Sequence, residues 1–141
     1  MAIASKKVCI DPSAFIAFID RAHPKHPQAA AFFRFFAQEK YRVFTSYLSI
    51  EEVYGYIYEK ISPTLAKDFI RALTLSNINI LYPNEADMKA ALKTLINYGN
   101  TELSFKDAQT AVLADRNGIS QICTFDYLHP LFGQTAFYLP I

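Results

Sequence analysis

The sequence predicts an α/β domain built on a mainly parallel sheet. Short apolar runs of strand length alternate with longer segments whose apolar residues recur at helical spacing. Each strand candidate is followed by enough chain for the crossover that a parallel neighbour requires. No internal repeat or linker interrupts the series, so the 141 residues read as one domain, 1–141, with a single sizeable core.

The first strand is expected at Lys7 to Ile10, and Asp11-Pro12 then supplies a cap and a first-turn proline for a helix over Ser13 to Ile19. His23-Pro24 and His26-Pro27 read as a connecting turn before a mostly buried helix over Ala29 to Ala37, rich in phenylalanine. Arg42 to Thr45 is the second strand. Ser46 or Ser49 caps the helix that follows, in which Ile50, Val53, Ile57 and Ile61 share a face and Glu51 and Glu52 fall in the first turns.

Ser62-Pro63 opens a further helix with Leu65, Phe69, Ile70 and Leu73 on its apolar side, giving a helical hairpin. Ile78 to Tyr82 reads as the third strand, and Asn84 caps a helix to about Tyr98 that closes at Gly99-Asn100-Thr101. Ser104 caps a helix from Phe105 to about Arg116, Asn117-Gly118 ends it, and Ile119 to Thr124 forms the next strand before Phe125-Asp126. A last strand is expected over Ala136 to Leu139.

Composition narrows the functional classes. Hydrophobic residues at 52% and charged residues at 19% exclude a disordered or low-complexity chain. Fourteen basic against thirteen acidic residues leave a net charge of +1, so any attraction to nucleic acid has to come from a local patch. Neither a secretory leader nor a membrane span is indicated, which implies a cytoplasmic protein. Cys9 and Cys123 sit singly in apolar strands without metal-ligand spacing and read as reduced core thiols.

Four acids stand out by position. Asp11 and Asp126 each follow a strand candidate, and open parallel sheets bind ligands beyond the carboxyl ends of their strands. Asp107 lies in the first turn of a helix, as does Glu51 or Glu52 in the first turns of another. Crowded carboxylates oppose one another's ionisation, so a divalent cation is their natural partner, and all-oxygen ligands favour Mg²⁺ or Mn²⁺. Such an ion fits hydrolysis of a phosphodiester. Singly, each acid also has a plainer role: Asp11 as a helix cap, Asp107 in a capping-box pattern with Ser104, Asp126 in a turn and Glu52 on an exposed helix face.

Through Val8-Cys9-Ile10-Asp11-Pro12-Ser13, Thr45-Ser46-Tyr47-Leu48-Ser49-Ile50-Glu51-Glu52-Val53, Leu103-Ser104-Phe105-Lys106-Asp107-Ala108 and the closing Gly118-Ile119 to Thr124-Phe125-Asp126, the chain resembles a PIN domain of the VapC-like toxin type. The matches run in order over nearly the whole chain. The resemblance implies a three-layer α/β/α sandwich and a Mg²⁺- or Mn²⁺-dependent endoribonuclease, the toxin of a type II toxin-antitoxin pair. It also implies a metal and catalytic site of Asp11, Glu52, Asp107 and Asp126. The family's glutamate stands six positions after the serine matched by Ser46, which selects Glu52 over Glu51. Ser13 and Thr124 match small hydroxyl positions beside the metal. Pro12 after the first Asp, and Tyr127-Leu128-His129-Pro130 in place of a more basic segment, depart from the pattern and bear on substrate preference.

Among basic residues, Lys6, Lys7, Arg34, Lys40, Arg42, Lys60, Lys67, Arg71 and Lys106 are available for phosphate, with Lys106 beside Asp107 as the preferred contact. His23, His26 and His129 read as loop residues. Tyr47, Tyr54, Tyr56, Tyr58 and Phe69 crowd the helical hairpin on more than one face, which with the resemblance points to a cognate antitoxin and a homodimer as partners besides RNA. The alternative is a PIN fold that binds or assembles without cutting. A haloacid dehalogenase type phosphatase would need a second Asp where Ser13 stands.

Overall fold

A computed structural model describes residues 6–139. The elements run β1 (Lys7–Ile10), α1 (Pro12–Ile19), α2 (His26–Gln38), β2 (Arg42–Ser46), α3 (Tyr47–Lys60), α4 (Pro63–Leu75), β3 (Asn79–Leu81), α5 (Glu85–Asn97), α6 (Phe105–Arg116), β4 (Gln121–Cys123) and β5 (Thr135–Ala136). All strand pairs are parallel, in the order β3-β2-β1-β4-β5. The mainly parallel α/β sandwich expected from the sequence is the fold observed.

Strand alternation sorts the core onto two faces. Val8, Ile10 and Cys123 face a layer made by α1 to α4, where Phe15, Phe32, Phe36, Val53, Ile57 and Phe69 are buried. Cys9, Phe44, Leu81 and Ile122 face the other way, against Leu113 and Ala114 of α6. Ala91 of α5 closes over Ala108 and Val112, so α6 is enclosed between sheet and α5, and every residue from Ala108 to Ala114 is buried. Both thiols are free and buried, and burial pushes Cys9 up to about 12 and Cys123 higher still, which makes them inert core residues.

Local chemistry sets the element ends. Ser46, not Ser49, caps α3, accepting the Ser49 amide at 3.2 Å. Ser62 with Pro63 opens α4, and Asn84 with Asp87 makes a full capping box on α5. The reading of both His23 and His26 as turn residues is corrected at His26. The missing amide of Pro27 costs nothing in a first helical turn, so α2 begins at His26, whose Nδ1 meets the Ala17 carbonyl at 3.0 Å. The strands after β2 are shorter than their apolar runs, and the last one covers Thr135–Ala136 rather than Ala136 to Leu139. Phe137 is nonetheless buried among Phe32, Phe35 and Phe36, so its apolar character serves packing rather than the ladder. Among the described residues no helix is long and apolar enough to cross a membrane.

Candidate active site at the carboxyl edge of the sheet

Strand order reverses at β1, whose successor β2 lies on one side while β4 lies on the other, and that is where open α/β sheets bind ligands. The register carries Leu81, Ser46, Asp11 and Thr124 into one row across the carboxyl edge. Asp11 caps α1 through the Ala14 amide at 3.2 Å, so its plainer role is real. The same carboxylate also takes the Ser13 hydroxyl at 2.6 Å and the Thr124 hydroxyl. Ser13 accepts the Phe125 amide at 2.9 Å and Thr124 the Asp126 amide at 3.0 Å, which ties the segment after β4 to the start of α1.

Asp11, Asp107 and Asp126 line one narrow cavity of about 30 Å³ together with Thr110, Thr124 and His129. Asp11 is 7% exposed, and burial lifts its carboxyl above the ordinary value, while Ser13, Thr124, the Lys106 charge and the Ala14 amide pull the other way. Ser104 takes the Asp107 amide at 3.1 Å, but the Asp107 carboxylate turns to Lys106 at 2.7 Å, leaving the capping box half made. The Lys106 side chain is only 17% exposed, and its Nζ also stands 3.8 Å from Glu52 on α3. Burial works against this ammonium, but Asp107, Asp11 and Glu52 outweigh it and hold Lys106 above its usual value.

The structure therefore brings three of the four sequence-selected acids to one cavity and links the fourth, Glu52, through Lys106. It does not bring them into coordinating range: among the described residues no three of His, Cys, Asp and Glu are placed to hold a metal ion together. The donor set still suits a hard cation. It is all oxygen, and it already draws a positive charge, the Lys106 ammonium, into its midst.

Other basic residues named from the sequence fall elsewhere. Lys6 precedes β1, Lys7 begins it and Arg42 begins β2, at the edge opposite Asp11, with Lys6 near Glu39 and Lys7 on the Asn117 carbonyl. Arg71 pairs with Asp68. One residue was missed: His129, read as a loop histidine, is buried in the cavity wall, its Nδ1 without a hydrogen-bond partner among the described residues. A histidine before Pro130 gives no local signal of burial, because the packing comes from distant Tyr98 at 5.5 Å and from Tyr127.

Comparison with known proteins adds the following. The PIN domain family model matches residues 8–132, a span that includes all four acids. No curated protein matches the chain. Among solved structures the chain is similar to VapC20 of Mycobacterium tuberculosis, a sarcin-ricin loop cleaving toxin, with 21% identity, TM-score 0.75, and 84% of this chain and 89% of that one covered. It is also similar to FitAcB of Neisseria gonorrhoeae, with 15% identity, TM-score 0.65, and 93% and 96% covered. A third is PAE2754 of Pyrobaculum aerophilum, with 18% identity, TM-score 0.58, and 92% and 83% covered. Identities this low speak to the shared fold alone.

Proposed function

The chain belongs to the PIN domain family, and from that premise we propose that it is a metal-dependent endoribonuclease of the cytoplasm, acting as the toxin of a toxin-antitoxin pair. The observation that carries this reading is the meeting of Asp11, Asp107 and Asp126 in one cavity at the switch point of the sheet, with Glu52 joined through Lys106. Asp11, Glu52, Asp107 and Asp126 would hold Mg²⁺ or Mn²⁺, which when bound supplies phosphoryl polarisation and an activated water. Ser13 and Thr124 fix the orientation of Asp11 by donating to both of its oxygens. Lys106, once released from neutralising the acids, would meet a phosphate of the RNA.

An antitoxin partner is supported by a groove of about 850 Å³ between α1, α2 and α4, lined by Phe18, Phe33 and Leu65. An amphipathic segment of an antitoxin fits such a surface. VapC20 is named as a toxin, which agrees with this reading. Tyr56 and Tyr58 of α3 stay exposed and support a second copy as a further partner, whereas Phe69 is buried against Phe15 and is not available.

The test is cleavage of single-stranded and structured RNA by purified protein in Mg²⁺, in Mn²⁺ and in EDTA, beside Asp11→Asn and Asp107→Asn. Metal-dependent cleavage that both substitutions abolish is expected. The competing reading, a PIN fold that binds without cutting, rests on Lys106 already neutralising the acids. Inert wild-type protein that takes up neither metal would establish it.

A further inference from the structure

Exposed tyrosines stand on both sides of the acidic cavity, and the fold does not need them. Tyr82 directly follows β3 and Tyr47 directly follows β2, so both sit one residue past the row that contains Asp11. They are 62% and 43% exposed, and their rings lie 5.6 Å apart at 35°, each bracing the other. Strand spacing puts Tyr82 about 10 Å from Asp11 along the edge. On the other flank Tyr127 is 71% exposed, lines the cavity, and stands edge-on to buried His129 at 4.9 Å. Large apolar rings kept wet yet held in place cost solvation without contributing to the core.

The charge distribution leaves work for them to do. The chain is nearly neutral, Lys6, Lys7 and Arg42 lie at the opposite edge, Lys106 is bound to carboxylates, and Lys25 shares a cleft with Thr124 and Asp126. Set against three aspartates in the cavity, these ammoniums leave phosphate neutralisation, the usual source of affinity for nucleic acid, small at this edge. Aromatic faces bind bases without needing charge, but only bases that are out of a duplex stack.

Resting on the nuclease reading, we propose that the Tyr47–Tyr82 pair and Tyr127 are stacking platforms for unpaired nucleobases on either side of the scissile phosphate. Tyr47 and Tyr82 are positioned by each other, and Tyr127 by His129, so the platforms exist before RNA arrives and lose little freedom on binding.

The experiment is fluorescence anisotropy of a labelled single-stranded 12-nucleotide RNA, and of the same sequence annealed to its complement, in EDTA so that binding is read without cleavage. Wild type is compared with Tyr82→Ala, Tyr127→Ala, Tyr82→Phe and Leu75→Ala. The carboxylates repel phosphate equally in all of them, so the ratios isolate the rings. Single-stranded RNA is expected to bind more tightly than duplex. Tyr82→Ala and Tyr127→Ala should each weaken it by roughly 5- to 100-fold. Tyr82→Phe, which keeps the ring face, and Leu75→Ala, at the exposed end of α4, should bind as wild type. Equal affinity in the alanine variants, or duplex bound as well as single strand, overturns the platforms and leaves the nuclease reading standing. Unchanged RNA affinity with an altered sedimentation coefficient would assign the Tyr47–Tyr82 pair to a protein interface instead. No RNA binding by wild type in either form would overturn the platforms, while the nuclease reading is decided separately by cleavage in Mg²⁺ and Mn²⁺.

Discussion

Lys106→Met tests how the acidic cavity handles charge. The ammonium stands 2.7 Å from Asp107 and 3.8 Å from Glu52, with its own side chain 17% exposed. At such separations the gross attraction is several kcal/mol for an effective dielectric near 20. The partners are 37% and 52% exposed, however, and solvent reduces the net tie to about 1–2 kcal/mol. Metal-free Lys106→Met protein should therefore melt about 3–6 °C lower, given the entropy of unfolding of a chain this size. A divalent ion entering the wild type must break that tie, which weakens its apparent affinity by about 5- to 30-fold. The methionine variant should bind Mg²⁺ and Mn²⁺ more tightly by that factor in calorimetric titration and gain more melting temperature from them. Lys106→Arg, which keeps the charge, should not. Unchanged or weaker metal affinity in the methionine variant would refute the reasoning, because the ammonium would then be supporting the ligands rather than standing in for the ion.

Asp11→Asn should raise the melting temperature of the metal-free protein. Burial holds the Asp11 carboxyl above its ordinary value, so the folded state is penalised while the group is ionised and relieved as pH falls through that raised value. The advantage of the variant, followed by thermal melts from pH 7 downward, should shrink toward acid, and an advantage constant with pH would count against the burial argument. Gly118→Ala should destabilise by about 1 kcal/mol in urea unfolding. Gly118 sits at φ +69° after α6, where the Ile119 amide closes on the Ala114 carbonyl and an added Cβ would meet nothing nearer than Lys7 Nζ at 3.7 Å. The cost is backbone strain alone, and a neutral result would mean that this turn relaxes.

The parts of the fold that local chemistry decides were readable. Ser62-Pro63, Asn84, Ser104 and Asn117-Gly118 each carry their own start or stop signal, and all four act where the sequence put them. Strand extents were less readable because an apolar run reports burial, not ladder bonding. Ile119 and Phe137 are both buried outside any strand. His26-Pro27 misled for a related reason: a proline marks a helix start as readily as a break, and only the Ala17 carbonyl across the chain decides between them.

The site divides along the same line. That Asp11 and Asp126 should reach one crevice followed from strand ends and parallel topology, which are properties of the chain's order. That Lys106 should turn inward could not follow, since helix periodicity places Lys106 beside Asp107 without saying whether its stem lies along the surface or folds back toward Glu52 on another helix. The inward turn depends on how α3 packs beside α6, and that packing is itself set by the residues of the core. Acids at a sheet edge thus have two ways to be neutralised, by a tethered ammonium or by a diffusible ion, and a lysine adjacent to one of them makes the two states compete. If the site takes a metal as proposed, the chain can fold around its carboxylates before the ion arrives, at the expense of metal affinity. On the proposed metal-dependent reading, the same competition would leave three carboxylates lining one cavity while, among the described residues, no three acids are drawn into coordinating range.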